Sequence, residues 1–272
     1  MTFQPVIPNS GLVGWAFLNR TLDTQTAAFD ASSTIKRDTD YFATKIGQID
    51  TAEQLVNDRR LLGVALGAFG LQDDIDNKYF VRRMLEDGTL KADALANRMA
   101  DDRYMQLTKA FGFGDFDVPR TKLSYFSDEI LTQYRDRSFE VAVGEQDENL
   151  RLALNAKREL SAIAGESDSD DTKWFRIMGN SPLRQVFETA LGLPASFGQL
   201  DLDQQLGVFR EKTNQQFGEG EISQFTKPEA VDKIIKLFLV RAQLAETASA
   251  SNGAIALTLL QNSVTPGSFN LL

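Results

Sequence analysis

Tyr41-Phe42-Ala43-Thr44-Lys45 puts a phenol and an ammonium one helical turn apart. Some reductases use that spacing to let a lysine lower a tyrosine pKa. The chemistry also needs a nucleotide, held where a strand and a Gly-x-Gly-x-x-Gly turn feed a helix. No such element precedes Tyr41, so the pair reads as helix surface. Two acidic runs, Asp73-Asp74-Ile75-Asp76 and Asp168-Ser169-Asp170-Asp171, could attract calcium. Both lack the central glycine and distal bidentate glutamate of a calcium loop. They read as solvated acids or as helix starts, where the helix dipole favours negative charge. Carboxylate pairs for acid–base work need burial or a like-charge neighbour to split their pKa values, and no spacing here signals that. Asn19-Arg20-Thr21 fits a glycosylation sequon but has no signal peptide to give it meaning.

The chain contains neither histidine nor cysteine. That removes Ser–His and Cys–His nucleophiles, and zinc, haem and iron–sulfur ligation through those side chains. No catalytic, cofactor-binding or metal-binding residue is assigned, and no cofactor is expected. Hydrophobic residues make up 42% of the 272, enough to bury a core. Lys plus Arg number 29 against 38 Asp plus Glu, a net charge of −9. Such a surface repels nucleic-acid phosphates and anionic lipid, so neither is expected as a partner. The longest apolar stretch, Ile234 to Val240, falls far short of the ~20 residues of a membrane span. Met1 to Pro8 has no basic region and carries two prolines, so it is not expected to act as a Sec-type signal peptide.

What must position any site is helical. Residues 1–11 read as an irregular arm broken by Pro5, Pro8 and Gly11. Apolar residues then recur at helical spacing: Trp15, Leu18, Leu22 and Phe29, then Ile35, Phe42, Ile46 and Ile49. Thr51 and Gln54 offer a capping box for a helix carrying Leu55, Leu62, Leu66 and Phe69 and stopping at Gly70. Gly63 and Gly67 on it form a small-xxx-small pair, read as close packing against a neighbouring helix. Further helices end at Gly88, at Gly112 (from Leu95) and at Gly192 (from Ser181-Pro182, cap and first position). Others span about 123–143, 145–164, 201–217 and 228–248, with a short one around Trp174 to Met178. Residues 112–119 form a break. The expectation is an all-α fold, a bundle or array of about ten helices capped by glycines, with no significant β-sheet. Residues 12–248 form the domain, with a division into 12–118 and 120–248 left open; 249–272 is a Ser/Ala/Asn-rich tail with a short apolar helix at Ala254 to Leu260. The segments ending at Gly70 and Gly192 echo one another, as reused glycine-capped amphipathic helices do.

Several short motifs carry a resemblance. They are Asp40-Tyr41-Phe42, Lys45-Ile46, Asp58-Arg59-Arg60-Leu61, Ala68-Phe69-Gly70-Leu71, Asp101-Asp102-Arg103-Tyr104 and Ala110-Phe111-Gly112-Phe113. The second half adds Leu154 to Leu160, Trp174 to Gly179, Pro182-Leu183-Arg184, Ala190 to Pro194, Asp203-Gln204-Gln205 and Phe217-Gly218. Over about residues 15–245 the chain resembles the alphaproteobacterial domain of unknown function numbered 1217. Genes of that family often lie among flagellar genes, and some relatives carry flagellar names. The resemblance implies a non-enzymatic helical protein associated with the flagellum, acting through protein–protein contact. It would be a cytoplasmic assembly factor, or a structural component exported by the flagellar secretion route. The family brings no established site residues. Trp174 and Phe175 read first as a core anchor and second as a partner contact. Ile255, Leu257, Leu259 and Leu260, apolar and beyond the main helices, are the candidates for docking in a partner's groove. The alternatives are a His/Cys-free enzyme and a small-molecule-binding helical protein.

Overall fold

The computed structural model describes the backbone of residues 3–263 and the side chains of residues 3–248. Among these residues the fold is all-α, with twelve α-helices, short 3₁₀ turns and no strand. The N-terminal series is α1 (Gly11–Asp30), α2 (Ser33–Lys45), α3 (Ala52–Asn57), α4 (Arg59–Phe69), α5 (Lys78–Asp87) and α6 (Asp102–Phe111). Then follow α7 (Phe126–Gly144), α8 (Glu148–Gly165), α9 (Asp170–Gly179), α10 (Ser181–Leu191), α11 (Leu202–Phe217) and α12 (Pro228–Ser263).

Two expected helices are divided, both by an aspartate. The Asp58 carboxylate accepts from the backbone N–H of Arg60 and Leu61, each at 3.0 Å. It thereby caps α4 as a separate helix from α3. Asp101 does the same for α6 through Arg103 N–H at 3.0 Å, leaving Leu95–Arg98 as a 3₁₀ turn. Ahead of α10 the cap is Asn180 rather than Ser181: its side chain accepts from Leu183 N–H at 3.2 Å. Thr51 caps α3 as expected through Gln54 N–H at 3.2 Å. Gln54, however, reaches back to Asp50 N–H, one residue before the cap. α12 continues to Ser263 with no break at 248.

Glycines at Gly70, Gly112, Gly192 and Gly218 end their helices in the left-handed conformation. Gly70 and Gly192 make the same pair of bonds. Leu71 N–H reaches Leu66 O and Gly70 N–H reaches Gly67 O, and Leu193 and Gly192 repeat this with Glu188 and Thr189. That is a Schellman termination, and it accounts for the sequence echo. At Gly70 an added Cβ would also lie 3.3 Å from Arg137 Nη1 and 3.4 Å from Arg103 Nη1. Gly70→Ala is therefore expected to destabilise by roughly 1–2 kcal/mol from backbone strain. A melting midpoint equal to wild type would show the strain to be absent.

The buried residues form two clusters that meet on α7. One joins Phe42, Leu55, Leu62, Leu66, Phe69 and Phe111 to Phe126 and Ile130 of α7. The other joins Trp15, Leu18 and Phe29 of α1 to Trp174, Phe187, Phe209 and Phe238, with Phe139 and Val143 of α7. Tyr134 of α7 packs against both. A Cβ on Gly67 would sit 2.9 Å from the Tyr134 ring, so this glycine sets the close approach of α4 to α7. Between the clusters runs a buried ionic chain. Arg137 pairs with Glu159 at 2.6 Å, and Arg158 pairs with Glu140 at 2.7 Å and with Glu159 at 2.5 Å.

Candidate functional site

The residues with potential chemistry turn out to be tied into the scaffold. Tyr41 Oη donates to Asp58 Oδ2 at 2.6 Å, while Lys45 is exposed. The Asp58 carboxylate holds the phenol above its usual pKa, the opposite of activation. In the first acidic run Asp74 accepts from Tyr104 Oη at 2.7 Å and from Asn77 Nδ2 at 2.8 Å. Asp76 pairs with Arg59 at 2.6 Å. In the second, Asp170 accepts from Ile222 N–H and from Arg210, both at 2.7 Å. Asp168 pairs with Arg176 at 3.2 Å. Among the described residues no group of three or more carboxylates is placed to hold a metal ion. Burial pushes Asp30, Asp102 and Asp136 above the usual carboxylate range. None of these three lines the cavities around Arg37, Phe116, Trp15 or Phe217.

Tyr104 gives a pH signature of this scaffold. Burial, then the bond to Asp74, pushes its pKa from 10.0 to about 12. Below pH 10 the phenol is protonated in folded and unfolded chain alike. As pH rises from 10 to about 12, only the unfolded chain gives up the proton, so stability falls across that window. The alkaline fall should be less steep in Tyr104→Phe than in wild type. Parallel midpoint-versus-pH curves would contradict the assignment.

Trp174 is a core residue, with no exposed surface. Its indole stacks on Phe209 at 5.6 Å, meets Phe187 edge-on at 5.4 Å, and donates Nε1–H to Gly220 O at 3.1 Å. The partner-contact reading is thus corrected for Trp174: the ring is consumed by the aromatic cluster. Phe175, next in sequence, is 40% exposed. The structure does not bring these two to one surface. The side chains of Ile255, Leu257, Leu259 and Leu260 lie outside the described residues.

The surface that sequence reasoning missed is the break between α6 and α7. Phe116, Val118, Leu123 and Tyr125 are 52%, 67%, 40% and 54% exposed. With Pro119 and Arg120 they bound an open cavity of about 420 Å³. Single exposed apolar side chains are ordinary; a grouped set is less common and is a feature that interaction surfaces share.

The segment is held at both ends. Gly114 abuts the end of α5 so closely that a Cβ would lie 2.4 Å from Glu86 O and 2.5 Å from Gly88 N. Asp115 accepts from Thr89 N–H at 2.6 Å, Thr89 Oγ1–H at 2.8 Å and Leu90 N–H at 3.1 Å. At the other end Thr121 Oγ1 donates to Ile49 O at 2.7 Å, and Lys122 Nζ to Gly47 O at 2.9 Å. The apolar side chains are therefore displayed from a fixed backbone, which reduces the ordering cost of binding. The available signal was four large apolar residues within ten positions, on either side of Pro119 and just after Gly114.

The family model described as a protein of unknown function (DUF1217) matches residues 68–231. The chain is also similar to an X-ray crystal structure of a structural-genomics target from Agrobacterium tumefaciens. The TM-score is 0.72 at 22% sequence identity, over 89% of this chain and 99% of that one. No curated protein matches the chain.

Proposed function

This chain belongs to the DUF1217 family of proteins of unknown function, and from that premise we propose that it works by protein–protein contact in the bacterial flagellar system. It acts there without catalysis, as an assembly factor or an exported structural component. The observation that carries the contact reading is the pinned apolar display of Phe116, Val118, Leu123 and Tyr125. Its area is apolar, its backbone is preorganised, and the aromatic pair supplies the side-chain types that anchor interfaces. The flagellar setting rests on the gene neighbourhood that the family resemblance implies. No helix among the described residues is long and apolar enough to cross a membrane.

The test is fractionation of a flagellated host into cytoplasm, basal bodies and medium, with and without a working flagellar export ATPase. Export-dependent appearance outside the cytoplasm supports a structural component. Cytoplasmic retention with a flagellar client co-purifying supports an assembly factor. Retention with no flagellar protein attached, in both strains, overturns the flagellar reading.

A further inference from the structure

The cavity between α2, α4 and α7, about 550 Å³, is lined by three arginines, Arg37, Arg59 and Arg60, against one carboxylate, Asp38. On a chain of net charge −9, that lining carries an excess of positive charge. We propose that this basin binds a small organic polyanion, phosphorylated or polycarboxylate, through its three guanidinium groups.

Three separate observations support the assignment. The first is weak internal pairing. Arg37 and Arg60 share Asp38 through contacts of 3.5 and 3.4 Å, longer than the roughly 2.7–2.9 Å of a charge-assisted bond. Arg59 pairs with Asp76 at 2.6 Å, but those side chains are 60% and 78% exposed. An incoming oxyanion can displace such a pair at little cost.

The second is preorganisation. The Arg60 guanidinium lies 4.0 Å over the Tyr41 ring and donates from Nη2 to Arg37 O at 2.9 Å. Tyr41 is itself fixed by Asp58. The guanidinium is thus held in place before any ligand arrives, with other N–H groups left to donate. The bare N-terminus of α4 is not what attracts the anion, because Asp58 already caps it.

The third is Gly63. It lies inside α4, where glycine weakens a helix, yet no neighbour demands it: an added Cβ would meet only Ile75 Cδ1 at 3.9 Å. Gly67, one turn on, is explained by Tyr134; Gly63 is not. It lines the basin, where the missing side chain leaves room for a ligand. The volume falls in the range of small-molecule pockets and exceeds what a bare phosphate fills.

Calorimetric titration of the full chain with pyrophosphate and with citrate, at fixed ionic strength of about 0.1 M, tests the proposal and separates the two sources. Saturable binding of one or both is expected, the tighter naming the ligand class. Arg60→Gln and Arg59→Gln should each weaken it by about tenfold or more. Gly63→Gln places a neutral side chain in the basin without removing a cation. It should weaken binding similarly while melting no lower than wild type. No saturable binding of either anion overturns the proposal, and so does unchanged affinity in Gly63→Gln.

Discussion

Glu159→Ala should lower the free energy of unfolding by about 3–5 kcal/mol, the cost of leaving a buried charge unpaired. The Arg137 and Glu159 side chains are only 9% and 13% exposed and meet at 2.6 Å. Glu159 also takes Arg158 Nη1 at 2.5 Å. The bond to Glu159 comes from Nη2, Arg137 Nε is buried with no hydrogen-bond partner, and burial, then the nearby Arg158, lowers the guanidinium pKa. Without Glu159, Arg158 keeps Glu140, while Arg137 loses the carboxylate it pairs with. Asp232→Ala is the contrast: its pair with Lys236 is 50% and 57% exposed, and a change within about 0.5 kcal/mol is expected. Urea unfolding of the two variants checks both statements. Equal small losses would mean that the chain of ion pairs between the clusters contributes nothing. Replacing Arg137 and Glu159 together by leucine should recover most of the loss, because no charge is then stranded.

Trp174→Ala is the second large effect, also about 3–5 kcal/mol by loss of buried area and the cavity left behind. The indole is enclosed by Phe187 and Phe209. Its Nε1–H holds Gly220 O, at the turn joining α11 to the segment before α12. Trp174→Phe keeps an aromatic ring and loses the hydrogen bond, so a smaller loss is expected. A near-neutral Trp174→Ala would return this residue to the list of surface contacts.

The helical class was legible because apolar spacing and glycine stops agree: Leu62, Leu66 and Phe69 lead to Gly70, and Val186, Phe187 and Leu191 lead to Gly192. The divisions at Asp58 and Asp101 were not. Apolar periodicity runs across both, and a single extended residue whose carboxylate takes the next N–H groups leaves that rhythm intact. Asn180 displaced Ser181 as a cap because both are good capping residues one position apart. The Arg137–Glu159 chain was invisible for a different reason: Arg and Glu in a helix read as surface, and only the packing of α7 on α8 buries them. The apolar display was passed over for another reason. Phe116 and Tyr125 have the composition of a core, and their exposure follows from where Asp115 and Thr121 tie the backbone. Periodicity reports which face of a helix is apolar. It does not report which loop carries apolar residues outward.

Contact through that loop is the central claim, and photocrosslinking in a flagellated host tests it most directly. A photoreactive residue is placed at position 118, on the display, and separately at position 202, where Leu202 is 59% exposed outside it. A specific adduct with a flagellar protein from position 118, absent from position 202, is the predicted result. No adduct at 118, or the same adducts from both positions, would contradict the account.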